Sequence, residues 1–460
     1  MSKAAPQKST GKYLTVAILL GVPLLLFVGV LSWWVGRTAI GRKKLEQQRA
    51  DLRSSGMPID DQSLADFRSQ RMNKSKSKRW MEVLKKMETK DFLESSAQIP
   101  IIGRLENELA FVPGKSYPYE MEVVEFLSNW ESLRAEIHDI TENSEAIWTH
   151  IEFNSFSTLL PYVQNCRPVA LLLSLEVEDA IRRDDRDQVF HSLTAMIGTA
   201  RTLEGEPIIV SQLVHIALVS MALKYVKQSV ELNLLNEMQL LSILEQLKSQ
   251  DDFDAKFRLA IVGERALSQA AFDDPSQFGR ENVAGMVGAR PIDALASLQI
   301  LSKVESIQTD DLRDFLLAVL KLESELVLDL TKGGWLHNLD TKLTQHSTPA
   351  WGAYGVAVAR SAMELRIAKL AIGLRLFELR NGRWPNSLGE LTGDAAFHLG
   401  PIDPVGNRPF GYTLADQAVD LWGFIPKTNE NTPDKPVDPT TLGEGERDSW
   451  EYWHWKLHSE

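Results

Sequence analysis

The sequence holds one cysteine, Cys166, in 460 residues. That excludes an intrachain disulfide framework and any multi-cysteine zinc or iron–sulfur site. It also lacks a metalloprotease HExxH pair, a phosphate-binding Walker loop, a GxSxG nucleophile elbow and a dinucleotide fingerprint. There is no excess of positive charge. The formal net charge is −12, which argues against a general nucleic-acid binder. With 28 Gly and 20 Pro the chain is not collagen-like, and 44% hydrophobic with 24% charged residues is ordinary globular composition. At roughly 100–200 residues per domain, the length allows several domains and a sizeable core.

The longest uncharged run is LTVAILLGVPLLLFVGVLSWWVG, Leu14 to Gly36. Crossing about 30 Å of hydrocarbon takes roughly 20 helical residues, and Pro is tolerable in such a helix. Trp33, Trp34 and Arg37 stand where a membrane interface is expected. Signal-peptide h-regions are shorter and end in a small-residue cleavage site, so the pattern favours a retained single-pass anchor in the cell membrane. Lys/Arg counting favours the large domain inside. A short N-terminus is the usual arrangement of a signal anchor with its domain outside. The extracytoplasmic arrangement is the expectation, with the side left open.

Charge divides the chain. Arg37 to Lys90 carries 15 Lys/Arg against 7 Asp/Glu, densest in RMNKSKSKRW from Arg71 to Trp80, whereas the following residues are strongly acidic. A basic juxtamembrane stretch either rests on anionic lipid or forms a solvated stalk.

The rest reads as mostly α. Val123, Val124, Leu127, Trp130, Leu133 and Ile137 recur at helical spacing over Glu120 to Ile140. Pro168 is expected to open a helix ending at Arg182-Arg183-Asp184-Asp185-Arg186, followed by helices around 187–204, Ile208–Val230 and Asn236–Leu247. Short polar turns between such helices imply antiparallel hairpins, an irregular array of tetratricopeptide (TPR) type without that repeat's signature. Further helices are expected over Phe257–Ala271, Asp310–Thr331 and Ala350–Asn381, the last closed by Gly382. Short β-branched and aromatic runs after Pro385 signal a small antiparallel sheet. The expected organisation is a tail (1–13), a transmembrane helix (14–36), a basic helical stalk (37–90), a helical hairpin domain (91–345), and a long helix with a small sheet (346–460).

Three motifs follow the long helix: Asn381-Gly382-Arg383-Trp384-Pro385-x-Ser387-Leu388-x-x-Leu391, Asp403-Pro404-x-Gly406-Asn407-x-Pro409-x-x-Tyr412, and Asp420-x-Trp422. Over about 75 residues this order resembles the globular module of type II secretion major pseudopilins. The resemblance implies a small α+β module. It also implies a Ca²⁺ loop after the Asp-x-Trp strand, whose candidate ligands here are Asp434, Asp438 and Glu444. The matching helix, however, lies far from the N-terminus where a pseudopilin's helix begins. Together with SSGMPIDDQSLADF and LEVEDAIRRDDRDQVFHSLTAMIGTARTLEGEPIIVSQLVHIAL, the anchor and tail resemble a family of membrane-anchored bacterial proteins, planctomycete in type. That resemblance implies a shared architecture and no activity.

No cofactor is expected otherwise. His150 and Glu152 stand two apart, a spacing that separates them on a helix. His191 and His215 read as core or groove histidines. Cys166, ahead of Arg167 and the expected helix start at Pro168, has the setting that lowers a thiol pKa but no assignable base. Glu176, Asp179 and Arg183 share a helical face. The expectation is a non-enzymatic interaction scaffold whose partners are membrane lipid and a protein, with no nucleic acid. The alternatives are a membrane-bound hydrolase with a pocket of Glu176, His191 and Glu264, or a pilus-like envelope assembly component.

Overall fold

The structure, a computed structural model, describes residues 10–103, 113–142, 144–248, 252–274, 277, 290–307, 309, 311–332, 334, 337, 340–393, 402–403, 408–415, 418–426 and 450–458. Asp434, Asp438 and Glu444 lie outside the described residues. The chain is mostly helical, with fifteen α-helices among the described residues and a small three-stranded antiparallel sheet near its end.

The helix does not end where the apolar run does. Helix α1 (Thr10–Ser54) continues as one element of 45 residues through the membrane segment and beyond. Its residues from Val22 to Val35 are largely solvent-exposed, and the helix is long and apolar enough to cross a membrane. The part after Gly36 is docked on the protein. Arg37 lies over the Trp33 ring and bonds Asp340, with Nη1 donating to Oδ1 at 2.9 Å. Gly41 sits against Ile292, and Leu45 packs with Phe272, Ala294, Leu295 and Leu298. Arg49, buried, donates from Nε to Gln269 Oε1 at 3.1 Å and from Nη2 to Asp273 Oδ1 at 3.1 Å.

The expected basic stalk is therefore not a separate element. Helices α2 (Asp61–Arg71), α3 (Ser77–Lys86) and α4 (Lys90–Ser96) fold onto the helical domain. Trp80, Val83, Leu84 and Phe92 join the main core. Part of this basic segment is held by protein partners. Arg79 pairs with Asp139 at 2.7 Å, Lys86 with Glu136 at 3.0 Å, and Lys76 Nζ donates to the Ile140 carbonyl at 2.8 Å.

Between Glu120 and Ile140 the expected single helix is two, α5 (Glu120–Asn129) and α6 (Glu131–Thr141), broken at Trp130. Helix α7 (Pro161–Arg182) begins seven residues before Pro168 because Pro161 occupies the N-terminal position that tolerates a missing N–H. Pro168 lies inside it. Helices α8 (Arg186–Arg201), α9 (Ile209–Glu231), α10 (Glu237–Lys248) and α11 (Phe253–Asp273) follow. Asp185 caps α8 through Gln188 N–H, and Asp252 caps α11 through Ala255 N–H. Helix α9 is long and apolar enough to cross a membrane, yet half of its most apolar stretch is buried between α7, α8 and the long C-terminal helix. It has the packing of a core helix.

Helices α12 (Arg290–Glu305), α13 (Leu312–Lys332) and α14 (Lys342–Ser347) lead to α15 (Trp351–Asn381), which ends at Gly382 in the left-handed region (φ +67) as the sequence predicts. Rather than heading a separate module, α15 is a core helix of the whole molecule, packed on α9, α10, α11 and α13. Strands β1 (Ile402–Asp403) and β2 (Arg408–Pro409) pair with each other. Strands β3 (Gly411–Ala415), β4 (Ala418–Pro426) and β5 (Trp450–His458) form a meander with Gly411 opposite Trp422 and Trp422 opposite His454. Val419, Leu421, Trp455 and Leu457 are buried where the sheet covers α15 and α9. Arg375, fully buried, ties these layers together. It donates to the carbonyls of Val230 and His458 at 3.0 and 2.9 Å and lies over the Trp384 ring.

Candidate functional site

Helix α7 places Glu176 at a junction of three helices, 2% exposed. Arg134 Nε of α6 donates to Oε1 at 2.8 Å, and Arg134 Nη2 bonds the same oxygen. His138 Nε2, one turn further along α6, meets Oε2 at 2.7 Å, and Ser192 Oγ of α8 donates to Oε2 at 2.8 Å. Burial pushes the Glu176 carboxyl up, but His138 and then Arg134 outweigh it and hold it down to about 2. The carboxylate is thus charged and saturated with donors, and it fixes the His138 ring on the wall of an open cleft.

That cleft, about 480 Å³, is lined by His138, Asp139 and Glu142 of α6 and its C-cap, Phe190, His191, Thr194 and Ala195 of α8, and Ser242 and Gln246 of α10. A second concavity, about 600 Å³, lies next to it over the α7–α8 turn. Asp184, Asp185, Arg186 and Asp187 face Asn236 and Gln239 across a floor that includes the buried Leu234 and Leu235.

Of the expected hydrolase pocket, Glu176 and His191 are brought to one region, while Glu264 is placed elsewhere. Glu264 of α11 is half-buried and accepts from the Ile209 N–H that opens α9, at 3.3 Å. Burial pushes its carboxyl up to about 7, the Ile209 hydrogen bond only partly opposing. It borders an internal cavity of about 10 Å³ shared with Ser268, Ser297 and Trp351, whose Nε1 has no partner. That volume is about one water molecule. The neighbouring Gly263 is what lets α11 lie this close to the segment leading into α9, since a Cβ there would overlap the Pro207 carbonyl. Gly263→Ala is expected to lower stability by on the order of 2–3 kcal/mol through forced separation of the helices, read as a lower urea midpoint.

The helix start expected just after Cys166 lies instead at Pro161. Cys166 lies inside α7, fully buried, with Sγ donating to the Tyr162 carbonyl at 3.3 Å, and burial pushes the thiol up to about 12. It is a small core residue without thiolate character. His215 is a core histidine whose Nδ1 meets the Ala200 carbonyl at 2.8 Å, whereas His191 is exposed on the cleft. His150 and Glu152 are both exposed. On α7, Asp179 does pair with Arg183 at 2.8 Å, as their shared face predicts, but Glu176 turns to α6. Among the described residues, no three His, Cys, Asp or Glu side chains gather as a metal site would require.

Sequence reasoning passed over Arg134 and His138. They lie four apart on one face of α6 with Leu127 and Trp130 before them, a spacing that marks a shared surface. Only the approach of α7 turns that surface into a site. Set against known proteins, the chain matches no family model, no curated protein and no solved structure.

Proposed function

We propose that this chain is a bilayer-tethered, non-enzymatic interaction scaffold, held in the cell membrane by α1 and presenting the α6–α8–α10 cleft to a partner protein. The observation that carries the reading is the unbroken α1, whose part beyond the apolar run is docked on the helical domain at Arg37, Gly41, Leu45 and Arg49. A tether serving only retention needs no such docking; one that sets the height and orientation of a binding surface does. Stacked α-hairpins of TPR type commonly offer such grooves, and the cleft between α6, α8 and α10 is of that kind. The long helix, Gly–Pro exit and antiparallel meander support a pseudopilin-like reading of the tail as a structural cap on α15 and α9.

The test is site-specific photocrosslinking in intact cells, with a photoreactive residue at His191 or Ser242 and, as control, at Val327 on α13. Discrete adducts from the cleft positions, with fewer from the control, are expected. Equal labelling everywhere overturns the reading. A second reading, a membrane-bound hydrolase, draws on His138, an imidazole held by a buried carboxylate beside a cleft. Ester or peptide turnover that disappears in His138→Gln would replace the scaffold reading with this one.

A further inference from the structure

Beyond the apolar run, the cations of α1 fall into two groups. Arg37, the first of them, is taken up by the protein: it bonds the buried Asp340 and lies over the Trp33 ring. Arg49 is likewise held, by Gln269 and Asp273. Arg42, Lys43 and Lys44 lie between them and are exposed, and among the described residues none of the three forms an ion pair or hydrogen bond. Glu46, the first carboxylate of the whole sequence, is turned to Arg49 at 3.5 Å. Three adjacent cations are therefore left without a counter-charge on the protein.

Their place along the helix is fixed. Gly41 against Ile292, and Leu45 against Phe272 and Leu295, hold α1 on the domain at both ends of this turn. From Gly36 the helix rises about 9 Å to Arg42 and about 12 Å to Lys44. The headgroup zone extends roughly 5–7 Å beyond the hydrocarbon, and surface charge acts over another ~8–10 Å in physiological salt. Side chains on a helix lean toward its N-terminus, which for α1 is the end carrying the apolar run, so the three cations reach back toward the headgroups. Ile40, 61% exposed, follows the exposed Trp33 by seven residues and precedes Lys43 and Lys44 by three and four. An uncovered isoleucine and two unpaired lysines thus share one side of the helix, the composition of a face that lies at a lipid interface.

We propose that Arg42, Lys43 and Lys44 bind the headgroups of anionic phospholipids in the leaflet from which α1 emerges. The proposal rests on the bilayer-tethered reading and adds the class of lipid that the tether gathers around it.

The full chain carrying Gln47→Cys, an exposed position one turn beyond Lys43, is labelled there with a donor dye. Cys166, fully buried with its thiol pushed up to about 12, stays unmodified. The protein is reconstituted in phosphatidylcholine vesicles holding a small, equal fraction of either phosphatidylglycerol or phosphatidylcholine with an acceptor on the acyl chain, and energy transfer reads the local enrichment of each. Enrichment of phosphatidylglycerol around the dye by about threefold or more is expected, falling toward none as salt is raised from about 0.05 to 0.5 M. Arg42→Gln, Lys43→Gln and Lys44→Gln together should abolish it. Lys78→Gln, Lys85→Gln and Lys115→Gln, which remove as much exposed charge outside α1, should leave it within about a fifth of the parent value. Both triple variants alter exposed side chains, and their folding is checked by circular dichroism. Equal transfer to the two acceptors overturns the proposal while leaving the tether. Equal loss in the two triple variants means diffuse attraction and overturns it as well. A chain that does not enter the vesicles removes the tether, and the proposal falls with it.

Discussion

Arg68→Met is expected to lower stability by on the order of 3–5 kcal/mol, the cost of leaving a buried partner charge alone. Arg68 of α2 and Glu206, which follows α8, are 1% and 0% exposed. Arg68 Nε donates to Glu206 Oε2 at 2.9 Å, and Nη2 bonds the other carboxylate oxygen. Nη1 donates to the Thr149 carbonyl at 2.5 Å. The pair therefore joins three segments that are far apart in the chain, and it is a buried polar link that seats α2 on the domain. Removing the cation strands Glu206 in the interior. Removing both charges, as in Arg68→Met with Glu206→Leu, is expected to recover most of the loss, because a buried ion pair is roughly balanced against an apolar pair of similar volume. The Thr149 carbonyl, left without its donor, retains a residual cost of about 1 kcal/mol. Urea midpoints of the two variants measure this, and early proteolysis between α1 and α3 in the single variant would locate it. A single variant as stable as the parent would show that the pair contributes nothing to holding α2.

The second large effect is a dependence of stability on pH, with a sign that the buried carboxyls set. Glu264 and Glu178 are pushed up to about 7 and Asp293 to about 6, burial being the leading cause in each case. For Asp293, the hydroxyl and backbone N–H of Thr344 and the N–H of Leu343 oppose it. A carboxyl raised in the folded state binds its proton more tightly there than in the unfolded chain. Stability is then fully present below the unfolded pKa near 4 and is lost as pH rises toward the folded value. The protein is accordingly expected to be more stable near pH 5 than near pH 8. Glu176, held down to about 2, acts oppositely, and its contribution is lost as pH falls from the unfolded value toward 2, below the pH 5–8 window.

Glu264→Gln isolates one share of this dependence. Its amide oxygen still accepts from Ile209 N–H, and no charge forms in the cavity beside Trp351 at any pH. The variant is expected to gain on the order of 3 kcal/mol at pH 8, from about 2.5 pH units at 1.36 kcal/mol each, and little at pH 5. Chemical denaturation at the two pH values measures it. A Glu264→Gln gain equal at pH 5 and pH 8 would place the effect in packing instead of ionisation.

Much of the fold was legible because its signals are local. The uncharged run from Leu14 to Gly36, the apolar periodicity of α8 and α9, and Gly382 as the stop of α15 each depend on neighbours within a turn or two of helix. The misreadings share a cause as well. Pro168 looks like a start because proline favours the first turn, but Pro161, seven residues earlier, occupies that position and the helix runs through the second proline. The stalk looks solvated because its cations are counted without their partners, and Asp139 and Glu136 are more than fifty residues downstream of Arg79.

The linear sequence alone decided that this is a mostly helical chain with an apolar N-terminal helix and a small sheet at its end, since periodicity, hydrophobic length and turn chemistry act over short distances. Only the tertiary structure decided that the N-terminal helix is docked on the domain beyond Gly36, that His138 joins Glu176 while Glu264 stands apart, and that a cleft opens between α6, α8 and α10. Those outcomes depend on which helix faces meet, and the free energy of such meetings belongs to pairs of residues that the chain brings together only when it folds.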